Sequence, residues 1–125
     1  MERSFRWILL GAKSGIGHAI LRSSCASGLS PLIGASDASS LRLANRFRIP
    51  FRAMDLDDDE KISRQLLGVD LVLNAGRIEL PSLERLARAC VRQGCRLIDL
   101  SDQIPEHLAL LRHCEMLESR GISWI

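Results

Sequence analysis

Among the motifs of this sequence, the spacing of three glycines in a turn near the N terminus most strongly indicates a chemical role. Gly11, Gly15 and Gly17 come directly after an apolar run and directly before a segment with helical periodicity. A turn that joins a strand to a helix presents backbone N–H groups at the positive end of the helix dipole, where an anion is stabilised. Gly11 would permit the tight turn, Gly15 would leave room for a diphosphate, and Gly17 would let the helix pack on the strand. The turn is therefore predicted to bind a phosphate group, with a ligand-free tight turn as the alternative.

The surroundings of this turn indicate which kind of phosphate ligand to expect. No Gly-Lys-Ser/Thr sequence follows, so the turn is not an NTPase phosphate loop. A second strand candidate begins about 20 residues further on, as in dinucleotide-binding units. Lys13 could add a positive charge beside the phosphates, or could be an ordinary solvated loop residue. A dinucleotide such as NAD or NADP is the ligand that this context favours.

The residues after the second strand bear on the choice between NAD and NADP. In an open α/β sheet the ligand lies across the carboxyl ends of the strands, and an acidic residue there can accept a hydrogen bond from the ribose 2′-hydroxyl. Asp37 stands close to that position and no arginine does, which favours NAD slightly over NADP. Ser36 or Asp37 could equally cap the next helix.

Three further strand ends carry polar residues. Asp55 could reach an adenine edge or be an ordinary loop carboxylate, and Asn74–Gly76 could pass close to a ribose or nicotinamide or form a simple turn. Asp99 and Ser101 could face the nicotinamide, or Ser101 or Asp102 could cap a helix. No residue is assigned a catalytic role and no metal site is predicted. The predicted cofactor-binding residues are Gly11, Ala12, Lys13, Ser14, Gly15, Ile16, Gly17, Ser36, Asp37, Asp55, Leu56, Asn74, Ala75 and Gly76.

The elements that must position these residues alternate along the whole chain. Strands are predicted at Arg6–Gly11, Ser30–Ala35, Pro50–Met54, Val69–Ala75, Arg96–Leu100 and Ile122–Ile125. Amphipathic segments between them predict helices, the clearest beginning near Pro81 and ending at Gly94. The first helix is predicted to present one face made of Ile16, Ala19, Ile20 and Ser23. Strand–helix alternation predicts an α/β fold, a three-layer, doubly wound, Rossmann-like parallel sheet of about six strands.

Length and composition restrict the function classes further. The chain has 125 residues, which predicts a single domain spanning residues 1–125. Its net charge of +2 gives no sign of nucleic acid as a partner. No apolar run approaches the about 20 residues of a membrane span, and a cytoplasmic location is expected. Cys90 and Cys114 fall on apolar helical positions and are predicted to be reduced core residues.

Several sequence blocks resemble the saccharopine dehydrogenase-like family, including its related enoyl reductases. The resemblance spans most of the chain and runs through residues 8–12, 55–58, 68–76, 86–94 and 97–102. It implies an N-terminal NAD(P)-binding Rossmann domain in which Gly11, Gly15, Gly17, Asp55, Ala75 and Gly76 line the cofactor. Ala35 stands where the family often has an arginine that serves NADP.

The glycine turn and Asn74–Gly76 also resemble motifs of the short-chain dehydrogenases. That family uses a tyrosine as general acid together with a lysine. The sequence contains no tyrosine, so independent catalysis of that type is excluded and the saccharopine-like resemblance is preferred.

These observations predict the cofactor-binding part of an oxidoreductase, isolated or truncated, with weak turnover or none on its own. The alternatives are a non-enzymatic nucleotide-binding or oligomerising Rossmann module and a fragment resembling short-chain dehydrogenases. A homodimer is expected through the edge strand Ile122–Ile125.

Overall fold

The computed structural model describes residues 4–100, which form a parallel sheet with helices on both sides. The order of the strands across the sheet is β3-β2-β1-β4-β5, and every pairing is parallel. The predicted strand Ile122–Ile125, and with it the expected dimer contact, lies outside the described residues. The elements are β1 (Trp7–Leu10), α1 (Gly15–Ala26), β2 (Leu32–Ala35), α2 (Ala38–Phe47), β3 (Phe51–Ala53), α3 (Asp59–Gln65), β4 (Leu71–Asn74), α4 (Leu80–Gln93) and β5 (Arg96–Asp99).

The central strand β1 is covered on both faces, which explains its uninterrupted apolar sequence. Ile8 is fully buried in one apolar cluster and Leu9 in another. The first cluster joins the sheet to α3 and α4 through residues such as Ile62 and Leu86, and the second joins it to α1 and α2 through residues such as Leu21. The predicted three-layer α/β architecture is therefore confirmed for the described residues.

The ends of α4 follow the sequence signals. Pro81 lies in the first turn, where a proline loses no intrahelical hydrogen bond. Gly94 ends the helix in the left-handed conformation, with φ of 67°. Glycine is suited to this position because it adopts a positive φ without steric cost. The acidic run before α3 supplies Asp58 as the N-cap, whose side chain accepts a hydrogen bond from the amide of Lys61 at 3.1 Å.

The prediction for the buried face of α1 was wrong. Gly17 and Leu21 are the buried residues of the helix, whereas Ile16 is 58% exposed. Gly17 must face the sheet because its α-carbon packs against the carbonyl of Gly11. This contact fixes the rotation of the helix and turns Ile16 outward. Of the predicted face, only Ile20 packs against the core, and it is partly buried. Among the described residues, no helix is long and apolar enough to cross a membrane.

Candidate functional site

The glycine turn brings the end of β1, the start of α1 and the end of β4 into close contact. Gly11 has φ of 78°, and a β-carbon there would lie 2.2 Å from the backbone nitrogen of Gly76. A β-carbon on Gly17 would lie 1.9 Å from the carbonyl oxygen of Gly11. The tight turn predicted for Gly11 and the close helix packing predicted for Gly17 are thus both observed, because no side chain fits at either position.

Ser14 holds the turn together from within. Its Oγ accepts a hydrogen bond from the amide of Gly17 at 3.0 Å and so caps α1. The same Oγ lies 2.8 Å from the carbonyl oxygen of Gly11 and 3.0 Å from that of Ala75, toward which its hydroxyl can donate. Ser14 therefore ties the glycine turn to the end of β4, and its side chain is occupied by this structural role.

The first residues of α1 remain open. Gly15 begins the helix and is exposed, and a β-carbon placed on it would have no atom within 4 Å. The amides of the first helical turn have no intrahelical partners. Gly15 and Ile16 therefore present N–H groups at the positive end of the helix, next to free space, which is the arrangement that an anion requires.

An open cleft of about 510 Å³ runs along the carboxyl ends of the strands. It lies where ligands bind in open α/β sheets. Predicted site residues that line this cleft are Gly11, Ser36, Asp37, Asp55, Leu56, Asn74 and Gly76. The remaining predicted residues lie in the turn, in α1 or at the end of β4 rather than in the cleft lining: Ala12, Lys13, Ser14, Gly15, Ile16, Gly17 and Ala75. Ala12 and Ala75 are buried in the apolar cluster below the turn.

Asp37 serves as the N-cap of α2. Its carboxylate accepts a hydrogen bond from the amide of Ser40 at 3.0 Å, and also from the hydroxyl groups of Ser39 and Ser40. Lys13 reaches across from the glycine turn and places its Nζ 2.8 Å from Asp37 Oδ2. The lysine and these hydroxyls hold the pKa of Asp37 well below its ordinary range. Of the two interpretations of Asp37, the capping role is the one observed, and Lys13 is paired rather than simply solvated.

Asp55 is folded back on the turn that follows β3. Its Oδ1 accepts a hydrogen bond from the amide of Asp57 at 3.1 Å, and its Oδ2 lies 3.4 Å from Lys61 Nζ. The hydrogen bond from Asp57 and the nearby Lys61 lower the pKa of Asp55. Its backbone amide donates to Gln65 Oε1 at 3.0 Å. Asp55 lines the cleft as an ionised carboxylate that stabilises its own loop.

Asn74 and Asp99 form a buried polar pair beneath the floor of the cleft. Asn74 Nδ2 donates to Asp99 Oδ1 at 3.0 Å, and both residues are fully buried. Asn74 also bonds both backbone groups of Gly76, accepting from its amide at 3.1 Å and donating to its carbonyl at 3.0 Å. Asn74 therefore shapes the turn after β4, and Asp99 is held in the core by this contact instead of facing the cleft.

The cleft also contains residues that the strand-end argument missed. Arg77, Ile78, Glu79 and Ser82 line it, as do Met54 and Asp57. The first four lie at the end of β4 and the start of α4, so they share the sheet edge on which the other predicted residues lie. Extending each strand end by a few residues would have found them. Ser82 Oγ lies 3.1 Å from Asp57 Oδ1, which joins the two sides of this part of the cleft.

Several residues outside the cleft lining have structural contacts. Cys90 and Cys95 are buried and reduced, and Cys25 is half-buried and reduced. His18 packs edge-on against Phe47, with ring centroids 6.0 Å apart. Three arginines of α4 face acidic residues of α3 and of the loop before it. The distances are 3.7 Å for Arg85–Asp57, 3.5 Å for Arg88–Asp59 and 3.9 Å for Arg92–Asp59.

Solved structures of several enzymes share this architecture. A nucleoside-diphosphate-sugar epimerase from Staphylococcus aureus superposes with a TM-score of 0.72 at 18% identity, over 96% of this chain and 48% of its own. A triphenylmethane reductase from Citrobacter, complexed with NADP(H), superposes with a TM-score of 0.74 at 13% identity, and the match covers 96% of this chain and 47% of the reductase. An NADPH-dependent quinone oxidoreductase from Escherichia coli superposes with a TM-score of 0.69 at 17% identity, and the match covers 94% of this chain and 45% of the oxidoreductase. The described residues share the Rossmann-like fold of these structures.

The saccharopine-like resemblance drawn from the sequence blocks finds no support among these structural neighbours. They are proteins of the epimerase and reductase type, not saccharopine dehydrogenases. No protein-family model and no curated protein matches the chain. At such low identities the likeness establishes the Rossmann fold alone. The chain spans about half the length of these neighbours.

Proposed function

We propose that this Rossmann domain binds a nicotinamide dinucleotide, with its pyrophosphate at the start of α1. The observation that carries the proposal is the space beside Gly15, onto which the N–H groups of the first helical turn open. The close backbone contacts of Gly11 and Gly17 exclude side chains from the same turn. Amides without intrahelical partners occur at the start of every helix, and the open space beside Gly15 leaves room for a ligand at this one.

The cleft supplies suitable surroundings for the rest of the ligand. Its part beside β2 and β3 is lined by the small or apolar residues Gly34, Ala35 and Met54 and by the carboxylates of Asp37 and Asp55, which suits an adenosine. Its part beside β4 is lined by Gly76, where backbone passes close to the glycine turn. We infer that the adenosine lies over β2 and β3 and that the nicotinamide points past β4.

The proposed reaction class is oxidoreductase chemistry of the reductase and epimerase type, rather than the saccharopine type. The cofactor supplies hydride transfer when bound, and the residues of this domain bind and orient it. Because the chain matches about half of each neighbour, we propose that the substrate-binding groups lie outside the Rossmann domain. The absence of tyrosine from the sequence removes the tyrosine acid of short-chain dehydrogenases from this chain. The cytoplasm remains the proposed compartment.

Calorimetric titration of the folded protein with NAD, NADH, NADP and NADPH tests this function. Gly15→Asp places a carboxylate in the space proposed for the pyrophosphate, where repulsion and lost room should abolish binding. The variant should keep its circular dichroism spectrum, since a side chain at Gly15 meets no atom within 4 Å. Ser23→Asp, at an exposed position of the same helix, is the control and should bind as the wild type does. Failure of the folded wild type to bind any of the four nucleotides would refute the proposal.

A further inference from the structure

Lys13 connects two parts of the chain, the glycine turn proposed to bind the pyrophosphate and the end of β2 proposed to bind the adenosine ribose. It leaves the glycine turn and reaches the start of α2, where its Nζ lies 2.8 Å from Asp37 Oδ2 and 2.6 Å from Ser39 Oγ. Asp37 itself lines the cleft at the end of β2. The ion pair therefore stands at the edge of the cleft where the proposed binding mode places the adenosine ribose.

The carboxylate of Asp37 has little capacity left for a ribose hydroxyl. Oδ2 accepts hydrogen bonds from Lys13, from the amide of Ser40 and from the hydroxyl of Ser39, and Oδ1 accepts from the hydroxyl of Ser40. Each carboxylate oxygen offers about two acceptor directions, so Oδ2 is fully used by its three donors and Oδ1 keeps one direction. Asp37 thus has a single acceptor direction left for the 2′-hydroxyl, through which it could select NAD.

The charge of Asp37 is also balanced. An unpaired carboxylate at the end of β2 would repel the 2′-phosphate of NADP, but Lys13 places a full positive charge against it. The lysine side chain is 52% exposed, so its ammonium group can turn toward a phosphate without leaving a buried position. Its long, flexible stem makes such a movement easy.

We propose that Lys13 is a specificity-determining residue, which neutralises Asp37 and binds the 2′-phosphate so that the cleft accepts NADP as well as NAD. The inference rests on the proposed function. The sequence alone favoured NAD, whereas here the preference between NAD and NADP depends on the opposite charges of Asp37 and Lys13. Lys13 decides that balance because its charge offsets the repulsion of Asp37 and supplies the phosphate with a partner.

The chain contains a closely matched control pair. Lys61 and Asp55 form the second lysine–carboxylate contact, at 3.4 Å, with side chains 52% and 41% exposed against 52% and 43% for Lys13 and Asp37. Asp55 also lines the cleft, but at the end of β3. Removing Lys61 therefore takes the same charge from a carboxylate that lines the same cleft at a different place.

The test measures dissociation constants for NADP and NAD in the wild type, Lys13→Met, Asp37→Asn and Lys61→Met. We expect Lys13→Met to weaken NADP binding about tenfold relative to NAD, as expected of one charge a few ångströms from a phosphate at a half-exposed site. Asp37→Asn should shift the ratio toward NADP, and asparagine keeps the helix cap. Lys61→Met should leave the ratio unchanged. An equal loss for both nucleotides in Lys13→Met, or the same shift in Lys61→Met, would overturn the inference.

A second measurement separates this inference from the function on which it rests. The sequence has only two lysines, so reductive methylation with a carbon-13 label gives two lysine signals besides that of the N-terminal amine. NADP should move the Lys13 signal more than NAD does, while the Lys61 signal responds alike to both. Binding of both nucleotides with the same Lys13 response refutes the specificity role alone. A wild type that is folded but binds neither nucleotide refutes the proposed function and this inference together.

Discussion

Asn74 on β4 lies directly opposite Asp99 on β5, and its amide donates to the buried carboxylate at 3.0 Å. The same amide group bonds the backbone of Gly76, and Gly76 in turn packs against Gly11. A polar contact within the sheet therefore sets the turn that meets the glycine loop. The geometry of the phosphate site depends in this way on a pair of residues that no ligand needs to touch.

Asn74→Ala should destabilise the protein by about 2 kcal/mol, since a buried carboxylate and two backbone groups lose hydrogen bonds. The free energy of unfolding from urea titration checks this. Asn45→Ala, at an exposed position of α2, should change that free energy by no more than about 0.5 kcal/mol. Equal effects of the two substitutions would contradict the structural role assigned to Asn74.

Gly17→Ala and Gly15→Ala should differ sharply although they stand two positions apart in one helix. The β-carbon at Gly17 would lie 1.9 Å from a backbone oxygen, whereas the one at Gly15 meets no atom within 4 Å. We expect Gly17→Ala to cost about 3 kcal/mol, the upper end for overpacking, because backbone must move. Gly15→Ala should keep the wild-type stability or slightly exceed it. Thermal unfolding followed by circular dichroism compares them, and a tolerated Gly17→Ala would speak against the observed packing.

Because Asp37 caps α2 and forms an ion pair with Lys13, part of the free energy of unfolding should depend on pH. Hydrogen bonds from Lys13, Ser39 and Ser40 lower the pKa of Asp37 from the ordinary value of 3.8. Its contribution is therefore fully present above that value and is lost as the pH falls toward the lowered pKa. Asp37→Asn should cost about 0.5 kcal/mol at neutral pH, as a half-exposed ion pair does.

Urea titrations of wild type and Asp37→Asn at several pH values measure this dependence. The difference between the two proteins should be constant from pH 7 down to about pH 5 and should shrink as the pH falls through the ordinary value of 3.8. A difference that grows as the pH falls would have the wrong sign for a carboxylate whose pKa is lowered.

The thiols of Cys90 and Cys95 should be unreactive in the folded protein. Both side chains are buried. The hydrogen bond to Cys95 and burial raise the pKa of Cys90 above its ordinary value, and the neutral thiol is a poor nucleophile. The same hydrogen bond lowers the pKa of Cys95, so the protection of Cys95 rests on its burial. In a Cys25→Ser/Cys114→Ser variant, labelling by a thiol reagent should therefore proceed only as fast as the protein unfolds. Rapid labelling under native conditions would show that α4 and β5 open locally.

Much of the fold could be predicted from local sequence patterns. The continuous apolar residues of β1 and β4 indicate strands covered on both faces, and Pro81 and Gly94 mark the two ends of α4. The glycine turn was recognisable because glycine is needed wherever backbone must pass close to backbone, and Gly11 and Gly17 both occupy such positions. These signals are local, so neighbouring residues along the chain are enough to state them.

The tertiary structure decided which partner each polar residue has. From the sequence alone, Asp37 could either cap a helix or bind a ribose. In the structure it caps α2, and its charge is neutralised by Lys13, which lies in a turn 24 residues away. The outward rotation of Ile16 likewise follows from the packing of Gly17 on Gly11. Such contacts depend on strand order and helix rotation, which are set by the burial of the whole core. Local periodicity therefore determines the elements, and long-range packing determines their chemistry.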